Sequence, residues 1–164
     1  MIEGRDEQPD VRKANARVTP EGRTEVTVTA TLFKARYAVL RDTAEQVCED
    51  GYHEAAIVMA HTACEVCTAA ILTEALRANG VEPLADPIDE LLTSYNLANN
   101  KVRNLYVALT GHCIQDERFW SKFKECASKR NKVVHRGHSA TADEARQSID
   151  ATKDVIDYLL QNRP

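Results

Sequence analysis

The sequence predicts an all-α protein, a four- to five-helix antiparallel bundle with a flexible or extended N-terminal arm. Apolar residues recur at three- and four-residue steps through most of the chain, which is the spacing of an amphipathic helix. The connections between these stretches are short, and short connections join antiparallel neighbours in a bundle. The 164 residues are enough to bury one core. We therefore expect an arm over residues 1–30 and a helical domain over residues 31–164.

The N-terminal arm is polar over residues 1–23, and Pro9, Pro20 and Gly22 favour a flexible segment. It also contains IEGR, the recognition sequence of a protease used to remove purification tags, so its first residues carry no weight for the fold. The following stretch, TEVTVTAT, alternates with Val26, Val28 and Ala30 on one side and predicts a short strand. Because an isolated strand needs a partner, we expect this extended segment to lie on the bundle or on another subunit.

Five apolar stripes predict the helices. They cover residues 33–47, 52–79, 88–109, 120–134 and 149–159. The first ends near Gly51, and the third contains NLANN, where a break is expected. The fourth ends at Gly137, and either Ser139 or Thr141 can cap the helix that follows.

Composition excludes several classes of protein. No apolar run approaches the length of a bilayer span and the N-terminus lacks the core of a signal peptide, so we expect a cytoplasmic protein without membrane contact. The odd number of cysteines, five, in helical patterns favours free thiols in a reducing compartment. The six glycines form no phosphate-binding loop, which argues against hydrolysis of nucleoside triphosphates.

Charge is distributed unevenly along a chain whose net charge is −4. Between Asp42 and Glu90 there are eleven acidic residues and one basic residue. Between Glu117 and His138 there are seven basic residues and two acidic ones. The total charge argues against non-specific coating of nucleic acid, whereas the local basic patch suits a confined anion site.

Arg130 interrupts an apolar series in the predicted fourth helix, since positions 120, 123, 127 and 134 are apolar and position 130 continues their spacing. A guanidinium cannot lose its proton, so in such a place it needs an anionic partner or an opening to solvent. Glu65 lies seven residues from both Val58 and Leu72 on the second helix and is likewise set among apolar neighbours. We expect Arg130 and Glu65 to meet inside the bundle or at its rim.

Asn131 and His135 are four residues apart and share a helical face. Arg130 and His135 are five apart, which places them about 140° from each other around an ideal helix. They converge on one phosphate only if the helix unwinds near Gly137 or if two chains face each other, and this favours a composite site in a dimer. The alternative is an ordinary helix end, where cations oppose the helix dipole and a glycine stops the helix.

The segment HTACEVC places His61, Cys64 and Cys67 at three-residue steps on the second helix. Such steps rotate around the helix, so the three side chains diverge, and structural zinc sites draw their ligands from a loop or from two elements. Small buried thiols are common on apolar stripes. We therefore expect no metal and no cofactor.

The segment RNKVVHRG resembles the signature of the HEPN superfamily, an arginine, a polar residue and then, after three to five further residues, a histidine. Its position also fits, because the signature falls near the end of a late helix in a small all-helical chain and another helix follows. The stretch that leads into it, ALTGHCIQDERFWSKFKECASK, is similar to the approach in bacterial members. By architecture the resemblance covers residues 32 to 160.

The resemblance implies a bundle that dimerises so that two Arg/His pairs face one cleft. Active HEPN members are metal-independent endoribonucleases, often toxins or antiviral effectors. Carried over to this chain, Arg130 is the phosphate clamp, Asn131 the polar helper and His135 the general acid or base, with Glu65 in support. Cations and a histidine around them would attract the RNA backbone, namely Lys129, Lys132, Arg136 and His138.

Three hypotheses follow for the whole protein. The first is a homodimeric endoribonuclease of toxin or antiviral type that leaves a 2′,3′-cyclic phosphate. The second is a non-catalytic HEPN-like module that binds RNA or a nucleotide without cutting, or docks a partner such as a nucleotidyltransferase-type antitoxin. The third is a plain helical dimer in which Arg130 and Glu65 form only a buried ion pair.

Overall fold

The structure, a computed structural model, describes residues 13–18, 24–29 and 34–164. The chain forms two compact units, Met1–Ala35 and Arg36–Pro164. Ala30 of the predicted strand and Phe33 of the first predicted helix lie outside the described residues, as do the prolines and the glycine of the arm.

The first unit contains an antiparallel hairpin of strands β1 (Lys13–Val18) and β2 (Thr24–Thr29). The register places Ala14 opposite Val28 and Ala16 opposite Val26. The predicted strand is therefore present over Thr24–Thr29, and within the described residues it pairs with the preceding strand of the same chain. Over β1 the arm is extended, which is one of the two forms expected of it, and KANARV alternates small or apolar with polar residues as a strand does.

The second unit confirms the predicted all-α bundle and consists, over residues 36–164, of six α-helices with two short 3₁₀ turns. The helices are α1 (Arg36–Glu49), α2 (His53–Ala78), α3 (Ala85–Leu91), α4 (Asn100–Thr110), α5 (Trp120–Arg136) and α6 (Ala142–Gln161). The third predicted stripe is two helices, α3 and α4, broken around the asparagine-rich segment. Asn99 caps α4 by accepting a hydrogen bond at Oδ1 from the backbone N–H of Lys101 (2.9 Å).

Helix α2 is the centre of the bundle and packs against α1, α4, α5 and α6. Its C-terminal part lies in a core with Tyr106 and Phe123, and its N-terminal part lies in a second core with Ala44 and Ile149. Because neighbours surround it, α2 is apolar on most sides, as a core helix must be.

The apolar character of α2 corrects one expectation from the sequence. Helix His53–Ala78 is long and apolar enough to cross a membrane by length and composition, with a mean hydropathy of 1.7 over its most apolar window. Of that window, 56% is buried inside the protein, so the same residues serve as the centre of the bundle. Length and hydropathy alone do not separate these two roles.

The N-terminus of α6 is fixed by a capping box. The hydroxyl of Thr141 accepts from the backbone N–H of Glu144 (3.3 Å), and the Glu144 carboxylate accepts from the backbone N–H of Thr141 (2.9 Å). Of the two predicted caps, Thr141 is the one used, because it alone has a glutamate three residues later. Glu54 also accepts from the backbone N–H of Ala140 (2.7 Å), which ties the α5–α6 connection to the start of α2.

Candidate functional site

Helix α5 carries most of the predicted site residues, and its first half is firmly packed. Trp120, Phe123, Cys126 and Ala127 are buried there. The guanidinium of Arg103 on α4 lies over the Trp120 ring, 5.4 Å from its centroid, which adds a cation–π contact. The site residues are therefore carried on a helix with a fixed base.

The second half of α5 departs from one prediction. Val134 was expected to continue the apolar series, but its side chain is 45% exposed. Val133 instead packs against the core formed by α1, α2 and α6. The reason is rotation, because Val133 lies seven residues, or nearly two full turns, after the buried Cys126.

An open cleft of about 580 Å³ lies between α2, α5 and the segment before α4. Eight of the ten residues that line it are polar or charged, and the complete lining is Glu65, Ser94, Asn96, Ala98, Asn99, Lys124, Ala127, Ser128, Arg130 and Asn131. The cleft thus brings together three of the predicted site residues, Glu65, Arg130 and Asn131.

Arg130 is half-buried in the wall of this cleft. Its Nη1 donates to Asn131 Oδ1 (3.2 Å), while its Nε is buried and has no hydrogen-bond partner among the described residues. Within residues 34–164, no carboxylate oxygen approaches its guanidinium within 4.0 Å. A half-buried guanidinium without a paired anion is suited to bind an anionic ligand.

Glu65 is also half-buried, with 20% of its side chain exposed. Burial raises the pKa of its carboxyl group, and the positive charge of Arg130 opposes that rise. The two residues therefore interact across the cleft, as the sequence suggested, but without the direct ion pair that was expected. The nearest base to Glu65 is His61, whose Nε2 lies 3.7 Å from Glu65 Oε1.

His61 lies beneath the cleft and is 2% exposed. Its ring stacks on Phe123, with centroids 5.7 Å apart and planes at 15°. Neither ring nitrogen has a hydrogen-bond partner in the described part of the chain. Burial, and then the charge of Arg130, lowers the pKa of His61 from 6.5 to about 4, while a contact with the Asn96 side chain opposes this change.

His135 lies outside this cleft, in a neighbouring groove of about 220 Å³ lined by Ser128, Asn131, Lys132, His135 and Arg136. The two depressions share Ser128 and Asn131. His135 is exposed on the surface of α5. In one chain, therefore, Asn131 lines both depressions, while Arg130 and His135 line different ones.

The end of α5 decides between the two ways in which Arg130 and His135 were expected to converge. The helix continues regularly to Arg136, and Gly137 follows with a φ of 59°, the left-handed conformation that favours glycine. The backbone N–H of His138 donates to Lys132 O (3.3 Å) and closes this end. Because the helix does not unwind before Gly137, convergence of Arg130 and His135 by unwinding does not occur in this structure.

The predicted RNA-binding residues have different surroundings. Lys132, Arg136 and His138 are exposed. Lys129 points to the other side of α5, where its Nζ forms an ion pair with Glu144 (3.2 Å). That pair anchors α5 to the capping box of α6, so Lys129 is tied to the fold more closely than its three neighbours.

Asn96, Asn99 and Lys124 line the cleft but were missed by the sequence reasoning. The available signal was NLANN itself, a cluster of amides at a helix break. The amide oxygens of both asparagines already accept hydrogen bonds from backbone N–H groups, of Ala98 and Lys101 respectively (both 2.9 Å). The amide nitrogen of Asn99 makes no hydrogen bond within residues 34–164 and remains as a donor at the cleft, whereas the Asn96 side chain also contacts His61.

The cysteines and histidines form no metal centre in the part of the chain that the structure describes. All five cysteines are free, and four of them are buried. Burial raises the pKa of the Cys64 thiol well above its usual value and that of Cys67 to about 12, so both are neutral thiols in the core.

No protein-family model, curated protein or solved structure matches the chain.

Proposed function

We propose that the protein is an RNA-directed, HEPN-like, metal-independent endoribonuclease that acts as a homodimer in the cytoplasm, in a toxin or antiviral role. The observation that carries the proposal is the Arg130 guanidinium, which lines an open polar cleft without a paired carboxylate among residues 34–164. Asn131 accepts a hydrogen bond from Arg130 and also lines the adjacent groove, in which His135 is exposed. This is the arrangement expected of a phosphate clamp beside an acid/base group.

The chemistry requires only these residue types. A histidine can accept the proton of a ribose 2′-OH, and the resulting oxyanion attacks the adjacent phosphorus and expels the 5′-oxygen, which takes up a proton from a histidinium. An arginine stabilises the negative charge that develops on the phosphoryl oxygens during this step. The product is then a 2′,3′-cyclic phosphate and a free 5′-OH.

The dimer is part of the proposal, because one chain places Arg130 and His135 over different depressions. A second copy facing α5 would bring its His135 to the Arg130 cleft of the first. Cyclic two-fold symmetry would give two such pairs at one interface.

The direct test is cleavage of an end-labelled single-stranded RNA in EDTA by the wild type and by His135→Ala. We expect RNA-only cleavage that leaves cyclic phosphate ends and disappears in the variant. A DNA strand of the same sequence is the substrate control, because it lacks the 2′-OH nucleophile. His112→Ala, at an exposed histidine outside both depressions, is the protein control and should cleave as the wild type does.

The dimer requirement has its own test, mixing the inactive variants Arg130→Gln and His135→Ala. If each site takes its arginine from one chain and its histidine from the other, random reassociation restores about one quarter of the wild-type activity. No restoration by mixed dimers, with both variants folded, would place the two residues of a site in the same chain.

One observation favours a second function, binding without cleavage. In the single chain Arg130 and His135 do not converge, so the cleft alone can bind an anion without performing acid/base chemistry. Absence of cleavage by a folded, dimeric wild type would favour this binding module over the nuclease.

A further inference from the structure

We infer that the polar cleft between α2, α5 and the segment before α4 binds a guanine base of the RNA, with the Glu65 carboxylate accepting hydrogen bonds from its Watson–Crick edge. The inference rests on the proposed RNA-directed function and adds the base that the cleft selects. It follows from the size of the cleft and from its set of donors and acceptors.

The cleft has the size of a small-molecule site. Its volume of about 580 Å³ lies within the range of about 300 to 1,000 Å³ that is usual for ligand pockets. One wall carries Arg130, where the phosphate clamp is proposed, so a base attached to the clamped nucleotide is within reach of the remaining lining.

Glu65 is the single carboxylate in that lining. None of the residues at 34–164 donates a hydrogen bond to it, and its nearest base, His61, remains 3.7 Å away. The low pKa of His61 also keeps that neighbour uncharged near neutral pH. A half-buried carboxylate without donors gains from a ligand that supplies them.

The other polar groups of the lining have the opposite character. The amide oxygens of Asn96, Asn99 and Asn131 are each engaged by donors of the chain. Lys124 and Arg130 add further donors, the two serines of the lining carry hydroxyls that donate or accept, and the carboxylate of Glu65 is the one side chain of the lining that only accepts.

Guanine is the RNA base that complements this set. Its N1–H and N2–H groups are adjacent donors that both oxygens of a carboxylate can accept, and its O6 and N7 accept from amide donors. Adenine and cytosine offer one amino group beside a ring acceptor. The N3–H of uracil lies between two carbonyl oxygens, which a carboxylate repels. The donor and acceptor pattern therefore selects guanine.

Calorimetry with 3′-mononucleotides tests the selection of guanine without any need for cleavage. The protein is the full chain carrying His135→Ala. We expect 3′-GMP to bind about tenfold more tightly than 3′-AMP, 3′-CMP or 3′-UMP, as for a bidentate base contact. The inosine analogue, which lacks the N2 amino group, should lose most of that advantage. Adding Glu65→Gln should remove the preference, because an amide offers one acceptor, whereas Glu125→Gln, on an exposed part of α5 outside the cleft, should retain it.

The outcomes separate the inference from the proposed nuclease. A guanine preference without RNA cleavage supports the inference and removes the nuclease. RNA cleavage with equal binding of the four nucleotides, or with no measurable binding of any, overturns the inference and leaves the nuclease. If Glu65→Gln fails to fold, the comparison of guanosine with inosine in the chain with native Glu65 decides. Tighter binding of free 5′-GMP than of a tetranucleotide RNA with one guanine overturns the assignment of the base to RNA.

Discussion

From Trp120 to Ala127, α5 buries four side chains in the core, whereas from Ser128 to Arg136, all of which the structure describes, it buries none completely. One continuous helix thus contains a structural half and an accessible half. The proposed site residues that α5 contributes, Arg130, Asn131 and His135, stand on the accessible half, and their positions are fixed by the packing of the other half. Stability and the proposed RNA chemistry should therefore respond to different substitutions along the same helix.

The sharpest contrast between the halves is expected from Phe123→Ala and His135→Ala. Phe123 is fully buried against His61 and Trp120, so its truncation should lower the free energy of unfolding by about 3 to 5 kcal/mol. His135 is exposed, and its replacement should change that free energy by less than about 0.5 kcal/mol. Urea unfolding followed by circular dichroism measures both, and similar losses in the two variants would contradict a division of α5 into two halves.

A second contrast concerns the histidines on either side of the helix, and it should appear as a dependence of stability on pH. The buried His61 has its pKa lowered from 6.5 to about 4, so between these values the unfolded chain takes up a proton that the folded chain does not. The contribution of neutral His61 to the free energy of unfolding should be complete above pH 6.5. It should fall as the pH decreases towards 4, by about 3 kcal/mol at roughly 1.4 kcal/mol per pKa unit.

The variant His61→Leu should lose this contribution, because leucine fills the site without a group that titrates. The quantity to compare is the difference between wild type and variant at pH 7 and pH 4.5, since Glu65 and other carboxylates titrate in the same range. If the free energy of unfolding fell equally in wild type and variant between pH 7 and pH 4.5, His61 would be taking up its proton inside the folded structure.

The smallest effect is expected at the end of the accessible half, from Gly137→Ala. The φ of 59° at Gly137 is unfavourable for a residue with a Cβ, although a Cβ placed there would meet no atom within 4 Å. We expect a loss of about 1 kcal/mol from backbone strain alone, measured by thermal unfolding. Gly137→Asn should lose less, since asparagine tolerates this conformation, and equal losses would point to another cause.

Much of the fold was predictable because it depends on local rules. Apolar spacing predicted the main helices, and the spacing of Thr141 from Glu144 contains the capping box in full. The packing of Val133, and not Val134, against the core was not predictable, since it depends on the rotation of α5 against its neighbours. The pairing of β1 with β2 was missed because prolines and polar residues outweighed a weak alternation.

The site was predictable only in part, for a related reason. Helical periodicity placed Arg130 and Glu65 on faces that point towards each other, and both line one cleft. Periodicity does not specify the distance between two side chains, so it could not predict that Arg130 and Glu65 make no direct ion pair. Asn96 and Asn99 belong to an irregular segment, whose path depends on tertiary packing and not on a repeating pattern.

The central place of α2 has a consequence for biosynthesis. Helix α1 is joined to it by a short turn and can pack on it soon after both leave the ribosome, because local contacts close quickly. Helix α6, which also covers α2, is made only after the whole stretch from Asn79 to Thr141. During that interval the most apolar segment of the protein remains partly uncovered, so the nascent chain offers a binding surface to chaperones until its last described helix arrives.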